Sequence, residues 1–278
     1  MLKIFALSLS LLCTCVNLGY SSHNVQTEQE PVTYKESSIT TYNLPSEASI
    51  TATQSSQTIN YVSRKVTSKS LAARFPTFTY NPQPGACACV AGGNVLGFYD
   101  RYDEELIPNH SSGVVFGNTY SYSLQDSAVR NVIEQLYVLM GTSSTGTTES
   151  NFISGLTNYC RDKNKTINFT SCMSNGSLNY SLVKSYLEAN QPIILFLSGY
   201  NLATISEGSS KDTFTYLEST VNHVMVGFGY KEYSYTLSSG TQTLNFISVA
   251  SGLGESSSGL FNISYKTKIN DALAVNIG

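Results

Sequence analysis

Apolar residues fall along this chain in three regimes. An unbroken apolar run covers residues 4 to about 16. Residues 22 to about 73 hold only scattered single apolar positions among Ser, Thr, Gln and Glu, and from Phe75 onward apolar positions recur at helical or strand periods. Behind the Pro/Gly turn at 82–86, Val90, Val95, Leu96, Phe98, Tyr99 and Tyr102 return at helical spacing, which predicts a helix beginning near Cys87. Residues 128–140 follow Asp126 and Ser127, either of which can cap, and repeat at helical spacing. Glu149 to about Tyr159 and Ser181 to Ala189 predict two further helices. Residues 192–199 read as a fully buried strand, and 221–230 as an alternating strand closed by glycines. Residues 233–237 with 244–250 read as a hairpin, and 259–265 as one more strand.

The first two regimes read as appendages. Lys3 ahead of the apolar run, and Asn17, Gly19, Ser21 and Ser22 behind it, give the layout of a secretory signal peptide, taken as residues 1–21. The run is too short for a comfortable membrane span, so none is expected once the signal is removed. Residues 22–74 offer little to a core and are expected to be a Ser/Thr-rich stalk, or else a pro-segment cut, for instance, near Arg64 and Lys65. The strand-like piece at 58–62 leaves room for part of it to pack on the domain that follows. Of the 278 residues, 75–278 are then one domain large enough to bury a sizeable core. A net charge of −3 with 13% charged residues gives no basic face for nucleic acid. The expected location is secreted or at the cell surface.

Chemistry concentrates at two points. A thiol at a helix N-terminus meets unpaired N–H groups and the positive end of the helix dipole, both of which favour thiolate. Gly92, Gly93 and Gly97 in the same helix each cost about 1 kcal/mol against alanine, which calls for a close packing partner. The chain has three histidines; His23 and His110 sit in polar surroundings, whereas His223 heads an apolar strand. Separately, Cys87 reads as an inert buried thiol and His223 as a satisfied core residue; together they make a nucleophile and a general base. Cys87 and Cys89 lack the second cysteine pair or nearby histidines that a metal site needs, and no cofactor is expected.

The segment 87–100, CACVAGGNVLGFYD, resembles the nucleophile helix of papain-fold cysteine peptidases of the double-glycine-leader-peptidase-like branch, and 223–228, HVMVGF, resembles their histidine strand. The resemblance covers roughly Phe75 to the end. It implies a papain-like α+β fold, with the nucleophile helix and other helices packed against an antiparallel β-sheet. It also implies hydrolysis of peptide bonds in a peptide or protein substrate, through a Cys–His thiolate and an acyl-enzyme. Counting back from 94–100 places the nucleophile at Cys87; the family's usual six-residue spacing from its glutamine, taken from Gln83, places it at Cys89. The longer helix match favours Cys87, with Gln83 the oxyanion donor. Where the family carries an Asp or Asn to orient the imidazole, this chain has Ser251. A serine gives no charge, so a related amidase or acyltransferase and a catalytically inactive binding or adhesion domain stand as alternatives.

Once the signal is removed, Cys160 and Cys172 bracket a polar, loop-like segment, and a disulfide between them is expected in an oxidising compartment, the alternative being two free thiols. Asn-x-Ser/Thr occurs at Asn109, Asn164, Asn168, Asn175, Asn179 and Asn262.

Overall fold

The computed structural model describes residues 33–43, 49–71, 74–79, 83–103, 105–110, 113–115, 119–121, 126–253, 256–264 and 269–278. The expected signal peptide at 1–21 lies outside them.

Strands dominate. Among the described residues strand is about twice as abundant as helix, and the helices number four. The expected papain-like α+β fold is therefore not what forms: the molecule is mostly antiparallel β, built on one large sheet against which a few helices pack. Among the described residues nine strands join it: β1 (Thr33–Asn43), β2 (Ser49–Asn60), β3 (Ser63–Ser70), β6 (Ile167–Ser171), β9 (Ile193–Glu207), β10 (Lys211–Leu237), β11 (Gly240–Leu253), β12 (Ser256–Asn262) and β13 (Ile269–Ile277). Two small hairpins, β4 (Gly113–Val115) with β5 (Thr119–Ser121) and β7 (Met173–Ser174) with β8 (Ser177–Leu178), lie outside it.

The sheet is organised by β10. Drawn straight, its 27 residues would span about 90 Å, so it bends, with a register break against β9 between Ser219 and Asn222. The bend brings its two halves face to face: the Phe214 and Tyr233 rings lie 5.5 Å apart, and the Tyr235 hydroxyl donates to Asp212 Oδ2 at 2.8 Å. β9 pairs with β10, β10 with β11, β11 with β12, and β12 returns to β9 at Leu260 and Ala203, so the pairing closes on itself. Inside is an aromatic core of Tyr61, Phe214, Tyr216, Tyr233, Tyr235 and Phe246, with Ile59, Ala203 and Leu244.

The segment expected as a stalk or pro-segment supplies β1, β2 and β3. β2 pairs with residues 211–218 of β10 and β3 with 229–236, so this stretch clamps both halves of the central strand. Arg64, near the point considered for pro-segment cleavage, donates to both carboxylate oxygens of fully buried Asp212 at 2.6 and 2.8 Å. The boundary expected at 74/75 is thus not a boundary of the sheet.

The second and larger core lies between the sheet and the helices. α1 (Cys87–Asp100) is buried from Ala88 to its end. A Cβ at Gly93 would lie 2.8 Å from Ile133 Cγ1 of α2 (Ser127–Leu139), and one at Gly92 would lie 3.0 Å from Leu136 Cδ1, so these glycines let the two helices approach closely. Buried Asn94 accepts from the Phe78 N–H at 2.7 Å and donates to the Phe78 carbonyl at 3.2 Å, anchoring the chain that leads into the helix. α2, α3 (Glu149–Asp162) and α4 (Tyr180–Glu188) are amphipathic and capped by the side chains of Asp126, Thr148 and Asn179. Among the described residues no helix is long and apolar enough to cross a membrane.

The expected Cys160–Cys172 disulfide is absent. Both thiols are free and fully buried, Cys160 on α3 and Cys172 just after β6. Burial pushes them up to about 12 and about 11. Several sequon asparagines have backbone roles instead: Asn109, Asn164 and Asn175 occupy left-handed turns, Asn179 caps α4, and Asn262 is buried with its N–H donating to Asn201 Oδ1 at 2.9 Å.

Candidate active site

The turn ahead of α1 sets where the thiol emerges. The Ala86 N–H donates to the Gln83 carbonyl at 3.3 Å and Gly85 takes φ +84°, which reverses the chain so that Cys87 becomes the first residue of the helix. A Cβ on Gly85 would collide with the Ser143 carbonyl at 2.1 Å. Ala86, at the N-cap, offers no side-chain acceptor to the first-turn N–H groups. Cys87 is partly exposed.

Across the seam, β10 presents His223, which is buried. Its ring is hydrogen-bonded to the Cys87 thiol. Nε2 sits 2.7 Å from the main-chain carbonyl of Ser251 on β11. A carbonyl only accepts, so Nε2 carries hydrogen; that assigns the tautomer and leaves the Nδ1 lone pair to take the thiol proton. Tyr200 of β9 packs its ring 5.2 Å from the imidazole, tilted by 47°, and is tied through its side chain to Ser219.

The electrostatics follow from this geometry. Burial is the largest influence on Cys87 and acts to raise it. The bond to His223, the charge of His223 and the N–H groups of Val224 and Ala88 outweigh burial and hold the thiol below its ordinary value. For His223, burial again acts first and lowers it; the bond to Cys87, the thiolate charge and the Ser251 carbonyl together raise it above its ordinary value. Both shifts run in the direction that favours thiolate beside imidazolium.

Of the residues singled out in the sequence, Cys87, His223 and Ser251 come together. Ser251 does so by its carbonyl; its hydroxyl instead accepts from the Leu253 N–H at 3.1 Å. Gln83 is exposed on the turn before the helix. Cys89 points the other way: its sulfur lies 3.2 Å from Thr142 Oγ1 and 3.9 Å from Met140 Sδ, it is fully buried, and burial pushes it up to about 11. Tyr200 carries no signal in the sequence, where an aromatic behind an apolar strand reads as core. Among the described residues no group of His, Cys, Asp and Glu could hold a metal ion.

Comparison of the chain with protein-family models, curated proteins and solved structures finds no match.

Proposed function

We propose that this chain is a cysteine peptidase, with Cys87 as nucleophile and His223 as general acid and base. The observation that supports it is the array in which a partly exposed thiol at a helix start bonds a buried imidazole whose far nitrogen is fixed by a carbonyl. The thiolate attacks a peptide carbonyl carbon and an S–C bond forms. As the C–N bond breaks, the amine leaves with the proton carried on His223 Nδ1. Water then gives a proton to Nδ1 and its oxygen displaces the thiolate from the thioester, releasing a carboxylic acid. The oxyanion is placed at the N-terminus of α1, where the Cys87 N–H is one donor and Gln83, on the preceding turn, the side-chain donor. With the export signal expected at its start, the enzyme works outside the cell or on its surface.

The test is a peptide-library digest read by mass spectrometry, with Cys87→Ala alongside. New peptide termini that disappear in Cys87→Ala support the proposal. Acyl transfer to an added amine without hydrolysis would make the enzyme an acyltransferase. Absence of any product, with a thiol that reacts only near pH 9, would overturn the catalytic reading.

A further inference from the structure

We infer that Gly252 is a positioning residue for this site, turning the Ser251 carbonyl onto His223 and setting how closely β11 approaches the helix that carries Cys87. The inference rests on the Cys–His reading above.

Three observations meet at this residue. First, the pairing of β11 with β12 shifts register between Ala250 and Leu253, which takes residues 251 and 252 out of the ladder and leaves the Ser251 carbonyl to point at the imidazole. Closure of the Ser251 hydroxyl on the Leu253 N–H holds that distortion in place. Second, the direction of the Ser251 carbonyl depends on rotation about the bonds flanking the 251–252 peptide, and Gly252 has φ +70°, where a side chain is strained. Third, a Cβ on Gly252 would stand 3.3 Å from Val90 Cγ1. Val90 lies one helical turn beyond Cys87, on the same face of α1. One glycine therefore aims the acceptor for the base and fixes the distance from the base's strand layer to the nucleophile's helix.

Among the described residues, the other titratable groups whose charge bears on the pair are Cys89 on α1, pushed up to about 11 by burial, and Tyr200 on β9, raised by burial. Neither changes charge between pH 5 and 9, so a shift in thiol reactivity over that range reports the pair itself.

The test is the pH dependence of Cys87 alkylation by iodoacetamide, read by intact mass, with thermal unfolding followed by circular dichroism. Gly252→Ala is expected to move the onset of alkylation upward and slow it at pH 7 about tenfold, the equivalent of one pKa unit. Gly252→Asn tolerates the left-handed backbone and is expected to shift the onset less. Adding Val90→Ala to Gly252→Ala makes room for the new methyl and should recover part of the shift. An unchanged onset in Gly252→Ala, with only a lower unfolding temperature, would reduce the glycine to a structural role and overturn the inference. Should Gly252→Ala not fold, Gly252→Asn is read by the same criterion. A wild-type onset near that of an ordinary thiol would instead sink the Cys–His reading.

Discussion

Replacing Arg64 by methionine tests whether the N-terminal strands are an integral part of the molecule. Asp212 is fully buried and its carboxylate takes two bonds from Arg64, one from the Tyr235 hydroxyl at 2.8 Å and one from the Gly208 N–H at 3.2 Å. Arg64→Met keeps the aliphatic stem but removes the countercharge, and an unpaired buried charge costs about 3–5 kcal/mol. The two remaining donors put the loss at the lower end, about 3 kcal/mol. The second partner of Arg64, Glu207 at 3.5 Å, is partly exposed and adds little. For a domain of this size the loss corresponds to a fall of about 6–12 °C in Tm. In urea it is a midpoint lower by about 1 M. The chain has no Trp and 19 Tyr, so unfolding is followed by far-UV circular dichroism and tyrosine emission. Asp212→Asn in the Arg64→Met background should cost much less than the two single losses added together, because the orphaned charge goes with its partner. A loss under about 1 kcal/mol for Arg64→Met would refute the reasoning, since it would mean that water reaches Asp212 and that β3 is not required to close the sheet.

Other predictions are equally direct. His223→Ala should send Cys87 above the ordinary thiol value, because burial, the largest influence, then acts with less opposition; alkylation at pH 7 is expected to fall at least about tenfold, and an onset still below pH 9 would count against the ion pair. Ser251→Ala keeps the carbonyl that the ring uses, so the alkylation profile should hold near wild type while stability falls by about 1 kcal/mol for the lost hydroxyl bond; a collapse of reactivity would show that the side chain acts directly. Cys89→Ala should leave the low-pH alkylation intact, and its loss would transfer the nucleophile by two residues. Glu149, raised to about 7 by burial and by its bond to Asp271, binds a proton in the folded state that the unfolded chain has released by then. Its contribution is therefore present at low pH and lost as pH rises from about 4.5 to 7, so Glu149→Gln should gain stability over wild type above pH 7 and little at pH 4; an equal effect at both would refute it.

The helices were legible by their apolar spacing, and α2 also by its cap at Asp126; Thr148 and Asn179 cap α3 and α4 in the structure. The cysteine helix and the histidine strand were legible for the same reason, since a thiol behind a Pro/Gly turn and a histidine heading an apolar run are local signals. β2 gave such a signal only at its end, in the strand-like piece at 58–62. Its buried positions include Ser55 and Gln57, both nearly fully buried, between the apolar Ala52 and Ile59. Gln57 accepts from the Tyr216 hydroxyl at 3.0 Å, and the Ser55 hydroxyl bonds Glu218. A strand that satisfies its buried face with polar partners from distant sequence has no alternation of apolar and polar residues to read. The papain-like architecture that the resemblance implies is not what forms, because a segment expected as a stalk or pro-segment supplies strands to the sheet. The acceptor for His223 was hidden differently: a main-chain carbonyl belongs to every residue, and only the glycine after Ser251 marks this one.

The polar character of β2 and β3 acquires another meaning when the order of synthesis is considered. Ser55 meets Glu218 and Thr58 meets Thr213 across more than 150 residues of chain. At about 5–20 residues per second, the first strands leave the ribosome roughly 10–35 seconds before β10 is complete. Through that interval they have unpaired edges and no sheet to join. Strands rich in Val and Ile would use the time to pair with other chains, whereas strands written in Ser, Thr, Gln and Lys stay hydrated and wait. The composition that makes this segment look like a tether is what allows it to be the last piece fitted.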